Sequence, residues 1–121
     1  MRKVGFLASR KISTVSILPT LDWAMRVCKQ KDIVIVSGFH SKMERDVLKI
    51  LFQGECGIIV VLARGMFRKL PKQYEVAMLQ NRLLIISHEK ESVTRVSEAT
   101  AHKRNNYVRE IVDEMQTLDM L

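Results

Sequence analysis

The chain has 121 residues, which is the size of one domain, and its 47% hydrophobic and 27% charged residues exclude an intrinsically disordered chain. Lysine and arginine outnumber aspartate and glutamate by 20 to 13, and the net charge of +7 favours anionic partners such as nucleic acids and nucleotides. No apolar run approaches the roughly 20 residues that a membrane-spanning helix needs, and we expect no membrane partner.

The first residues carry no pattern typical of a secretory leader, because their apolar stretch is only a few residues long. Cys28 and Cys56 are far apart in the chain and fit two reduced thiols. No zinc-ligand spacing occurs around His40, His88 or His102. We therefore expect a cytoplasmic protein without a metal site.

Four short apolar runs, rich in β-branched residues, predict strands buried on both faces, at residues 4–8, 33–36, 58–62 and 83–86. An amphipathic stretch follows each run, and these stretches predict helices over residues 17–28, 43–51, 74–79 and 97–115. Gly54 is a predicted helix stop, and residues 90–96 form a polar connection.

Strands that alternate with helices along the whole chain indicate an α/β fold. Because the strand runs are continuously apolar, they favour a parallel sheet with right-handed crossovers. We predict a single three-layer Rossmann-like domain over residues 1–121, with a mostly parallel sheet of at least four strands flanked by helices.

Ligands of an open parallel sheet bind beyond the carboxyl ends of its strands. The loops expected there are rich in hydroxyls, cations and small residues. Their candidate binding residues are Ser9, Arg10, Lys11, Ser37, Gly38, Phe39, His40, Lys42, Arg64 and Gly65. Helix N-termini offer backbone N–H groups to anions, glycine permits close approach, and the arginine fork matches phosphate oxygens. The pattern therefore predicts phosphate binding.

Structural alternatives stay open at several of these positions. Ser37 and Gly38 also fit a helix cap and a strand-end turn. Arg10 and Lys42 also fit a solvated surface. Phe39 fits either a core residue or a platform on which a nucleobase stacks.

Catalytic motifs are absent from the sequence. It has no GxSxG elbow, HExxH helix, Walker A loop or GxGxxG turn. His40 lies near Ser37 and Ser41, but no acid is placed to orient it. We therefore expect no catalytic residue, no cofactor and no enzymatic activity.

Five short motifs resemble, in order, the DNA-processing protein A (DprA/Smf) family of SLOG-type Rossmann-like domains. They cover residues 3 to about 112 and read VGFLASRKIS, IVIVSGFHSKMERDVLKIL, IIVVLARGMFRKLP, LLIISHE and HKRNNYV. The matched positions are Ser9, Arg10, Ser37, Gly38, Gly65, Arg104 and Asn105. The last block also makes Lys103 a candidate. The family's Ala-Arg-Gly-Ile-Asp stretch is residues 40–44 here, where Lys42 at best replaces the family arginine. The family continues after the segment matching Val112 with further strands and often a winged helix.

This resemblance implies non-enzymatic binding of single-stranded DNA, and transfer of that DNA to a recombinase during DNA uptake and recombination in bacteria. It also implies that Arg10 and Arg104 face one anion site beside the backbone of residues 37–39. The alternative is a SLOG-type sensor or binder of a nucleotide-derived small molecule. Whether the chain forms a homo-oligomer stays open.

Overall fold

The computed structural model describes residues 1–9 and 11–116. The prediction for Arg10 therefore lies outside the described residues. Five strands form one sheet: Arg2–Phe6 (β1), Ile33–Ser37 (β2), Gly57–Leu62 (β3), Leu83–Ser87 (β4) and Glu114–Gln116 (β5). Their order across the sheet is β4-β3-β2-β1-β5, and every neighbouring pair is parallel.

Four helices flank the sheet: Ile17–Val27 (α1), Lys42–Phe52 (α2), Lys72–Leu79 (α3) and Glu98–Ile111 (α4). The main core lies between the sheet and α1 to α3, and it contains the fully buried Phe6, Ile35 and Leu51. A second cluster joins α4 to the other face, where Val108 packs near Val36 and Val61. These three layers confirm the predicted α/β Rossmann-like fold.

Two predicted elements, the first strand and the last helix, have wrong bounds, and the third helix begins at Lys72 rather than residue 74. The first strand covers Arg2–Phe6 rather than residues 4–8, because Arg2 and Lys3 pair with the start of β2. The last helix ends at Ile111 rather than residue 115. Beyond that point, the Asp113 N–H donates to the Lys3 carbonyl at 2.9 Å, and Asp113 Oδ2 accepts from the Lys3 N–H at 2.8 Å. These contacts turn the chain into β5 beside β1.

The path of the chain places the loops that follow the strands at one edge of the sheet, the edge of their carboxyl ends. From β1 the strands step in one direction to β4, and α4 then returns the chain to the other side of β1. The first residues of α4 therefore lie above the carboxyl ends of the central strands, where α/β sheets bind ligands. None of the described helices is both long and apolar enough to cross a membrane.

Candidate functional site

The turn between β2 and α2 is held by its own hydroxyl and backbone groups. Ser37 is fully buried, and its Oγ accepts a hydrogen bond of 3.1 Å from the Phe39 N–H. Phe39, rather than Gly38, adopts the left-handed backbone conformation, with a φ of 48°. The Phe39 side chain is buried in the main core. Ser37 and Phe39 therefore fix the shape of the turn.

Glu44 fastens this turn to the loop after β1. Its Oε1 accepts hydrogen bonds from the N–H groups of His40 and Ser41, at 2.9 and 3.2 Å. Its Oε2 accepts from the Ala8 N–H at 2.8 Å. Ser41 Oγ accepts from the Glu44 N–H in return, which completes a capping box at the start of α2. One buried carboxylate thus holds two strand-end loops together.

Arg104 of α4 reaches the same turn. The residue is only 7% exposed, and a methyl group at Gly38 would overlap its guanidinium. Its Nε donates to Asn105 Oδ1 at 2.7 Å, and within residues 1–9 and 11–116 no buried side-chain nitrogen or oxygen lacks a hydrogen-bond partner. Burial lowers the pKa of Arg104 from its usual value, and the nearby Glu44 carboxylate opposes this shift. Because arginine keeps its charge in proteins, the site contains a largely buried cation that lines the cavities described next.

Two cavities adjoin at Arg104, and His40 and Val96 also line both. The first, which we call the arginine cavity, has a volume of about 330 Å³ and is further lined by Gly38, Phe39, Leu62, Ala63, Arg64, Phe67, Tyr74, Thr94 and Arg95. The second, the serine cavity, has about 510 Å³ and is further lined by Ala8, Ser9, Ser41, Glu44, Ser97, Glu98, Ala101 and Asn105.

The arginine cavity combines cations with aromatic rings. Its described lining contains three arginines and no carboxylate, whereas the serine cavity has two carboxylates in its described lining. The Arg64 guanidinium lies 5.1 Å from the centroid of the Phe67 ring. The rings of Phe67 and Tyr74 meet edge to face, with centroids 5.7 Å apart. The arginine cavity is therefore the better site for an anion that carries an aromatic group.

The predicted lysines lie apart from both cavities. Lys42 forms an ion pair with Asp46 at 3.1 Å on the exposed side of α2. Lys103 forms one with Glu89 at 3.2 Å. Lys11 is exposed in the loop after β1, where its carbonyl accepts a hydrogen bond of 3.1 Å from the hydroxyl of Ser9.

Gly65 makes room for a loop that crosses the end of β3. A side chain there would overlap the backbone of Lys90 and Glu91, and the Gly65 N–H donates to the Val93 carbonyl at 2.7 Å. This contact anchors the loop that contributes Arg95 to the arginine cavity.

Several lining residues are missing from the sequence-based candidates, among them Phe67, Tyr74 and Arg95. Nothing in the local sequence singles them out, because their positions depend on how distant loops pack. Glu44 could have been found from the sequence, because the spacing from Ser41 to Glu44 is that of a capping box.

No protein-family model matches the sequence, and no curated protein matches it. Among solved structures, the chain is similar to DNA processing protein A from Helicobacter pylori, in a structure that describes that protein's single-stranded DNA binding mode. The TM-score is 0.68 with 18% sequence identity, and the match covers 98% of this chain. This chain spans 57% of the length of that one. At this identity the similarity establishes a shared fold, and the predicted resemblance to DNA-processing protein A is confirmed at that level.

Proposed function

We propose that this domain binds single-stranded DNA without catalysing a reaction, and that a DNA phosphate lies on Arg104 at the mouth of the arginine cavity. The observation that carries the proposal is the position of Arg104, a cation that is only 7% exposed and lines both cavities beyond the carboxyl ends of the strands. A buried charge is costly unless it is paired. A phosphate supplies two oxygens in the geometry that the guanidinium fork matches.

The surroundings of Arg104 favour a nucleic acid over a bare anion. Arg64 and Arg95 add charge to the same cavity, and Phe67 and Tyr74 line it with aromatic surface. Stacking of a base on an aromatic side chain contributes about 1–3 kcal/mol. Arg10 lies outside the described residues, and we assign it an adjacent phosphate because it follows Ser9, which lines the serine cavity. The DNA-binding mode described for the structural neighbour supports the choice of partner.

The proposal is tested by fluorescence anisotropy with a labelled oligothymidine at low salt. Arg95→Ala removes an exposed arginine from the arginine cavity. Arg26→Ala is the matched control, because Arg26 is exposed in the last turn of α1, at the amino ends of the strands. Charge-assisted hydrogen bonds contribute about 1.5–3 kcal/mol, and we therefore expect Arg95→Ala to weaken binding at least about tenfold and Arg26→Ala less than twofold. No binding by the wild type at micromolar protein, or equal losses in both variants, would contradict the proposal.

A second candidate is the binding of a nucleotide-derived small molecule. The volume of the arginine cavity, about 330 Å³, is within the range of small-molecule sites. Thermal melting with thymidine monophosphate separates the two functions, because a ligand at 100 times its Kd adds about 2.7 kcal/mol of stability. If the mononucleotide stabilises the domain as much as the oligonucleotide does at equal phosphate concentration, the small-molecule function is favoured.

A further inference from the structure

Strand β4 is the terminal strand on one side of the sheet. Its five residues, Leu83–Ser87, include no charged residue and no proline. Proteins usually protect a free edge strand with lysine, proline, a bulge or a covering segment, because unpaired backbone groups otherwise attract a second strand. An unprotected edge of this kind is typical of a strand that pairs with another chain.

The backbone of β4 points its free groups outward at alternate residues. The Arg82 carbonyl accepts a hydrogen bond of 2.7 Å from the Ile58 N–H, and residues 82, 84 and 86 therefore direct their backbone groups toward β3. The N–H and C=O groups of Leu83, Ile85 and Ser87 consequently point to the open side. A partner strand finds three residues that each offer a donor and an acceptor.

Apolar side chains flank this edge. Leu84 is 54% exposed, because α4 packs over β1, β2 and β3 and leaves that face of β4 uncovered. On the other face, α3 packs beside β4 and exposes Val76 and Leu79, at 45% and 85%. Burying such surface is the main driving force of protein association.

We propose that β4 pairs in antiparallel fashion with β4 of a second copy of this chain, around a two-fold axis at Ile85. Two-fold symmetry requires a surface that is complementary to itself, and this strand meets that condition. With the axis at Ile85, Ile85 pairs with its own copy and Leu83 pairs with Ser87, which satisfies the outward backbone groups in about six hydrogen bonds. The exposed Leu84 then lies opposite Ile86 of the second copy.

The charges around the strand agree with this occupant. Although the chain carries a net charge of +7, the strand itself is uncharged and does not repel its copy.

Sedimentation velocity of the purified chain without DNA tests the pairing, and its result is independent of the proposed DNA binding. We expect a dimer that Leu84→Lys dissociates, with a Kd raised roughly 30-fold or more, as for a central interface residue. Met25→Lys is the matched control, because Met25 is also 54% exposed but lies on α1, and this variant remains dimeric. A monomeric wild type at tens of micromolar, or equal dissociation by both variants, would overturn the proposal.

Amide hydrogen exchange distinguishes strand pairing from any other dimer. In the wild type we expect slow exchange at Leu83, Ile85 and Ser87, and fast exchange at the same amides in Leu84→Lys. The Leu84 and Ile86 amides of the wild type face β3, and they should stay slow at any protein concentration. Fast exchange at Ile85 in a confirmed dimer would show that the interface lies elsewhere. Circular dichroism of Leu84→Lys establishes that the variant is folded.

Discussion

At the scale of single residues, the candidate site depends most on the contact between Gly38 and Arg104. Gly38 has no positive φ, and its lack of a side chain serves to admit the guanidinium. We expect Gly38→Ala to lower the free energy of unfolding by about 1–3 kcal/mol, as overpacking usually does. The same change should weaken oligonucleotide binding, because it displaces Arg104. Urea denaturation and the anisotropy titration measure the two effects.

A double-mutant cycle shows whether the loss arises from this contact. In an Arg104→Ala background the added methyl meets no guanidinium, and Gly38→Ala should then cost less than it does in the wild type. Contacting residues show coupling of about 0.5–3 kcal/mol. Strictly additive costs would mean that the methyl group disturbs the turn itself.

At the scale of elements, the start of α2 determines how the strand-end loops are held. Ser41 caps the helix, and we expect Ser41→Ala to destabilise the domain by about 1 kcal/mol. Ser13→Ala is the control, because Ser13 precedes a short 3-10 turn and makes no capping hydrogen bond with its side chain. Thermal unfolding of the two variants provides the comparison. Equal melting temperatures for Ser41→Ala and Ser13→Ala would contradict the assigned role of the cap.

The sequence predicts most of these elements because buried strands and amphipathic helices leave strong patterns. It fails at β5, a strand of three residues that depends on pairing with β1 and on the contacts of Asp113 with Lys3. The apolar residues from Val108 to Met115 recur at helical spacing, although Met115 packs beside Gly5 from the strand. Periodicity alone does not separate the end of a helix from a short strand that follows it.

The candidate site is predictable only in part, for a similar reason. The rule that ligands bind at the carboxyl ends of parallel strands places the loops correctly, and it locates Gly38 and Arg64 at the arginine cavity. It does not reveal that the Ser37 hydroxyl accepts a hydrogen bond within its own turn, or that Lys42 and Lys103 form ion pairs with Asp46 and Glu89. Those outcomes depend on contacts between residues that no local pattern encodes.

At the scale of the whole molecule, the two faces of the sheet are covered unequally by helices. This difference explains both the position of Arg104 and the exposed edge at β4. Three helices cover one face, and within the described residues α4 covers the other. Because α4 crosses back from β4 toward β1, it delivers Arg104 to the central strands and leaves Leu84 exposed. In the proposed antiparallel pair the two arginine cavities lie at opposite ends of the joined sheet.

A titration of isotope-labelled protein with oligothymidine, followed by NMR, tests the proposed DNA binding and its location most directly. We predict that the amide resonances of Gly38, Arg64, Arg95 and Asn105 shift in proportion to occupancy, because these residues line the two cavities. The amide of Arg26, at the amino ends of the strands, should stay unchanged. Binding that shifts only resonances at the amino ends of the strands, and leaves Gly38 and Arg95 unmoved, would contradict a site at Arg104.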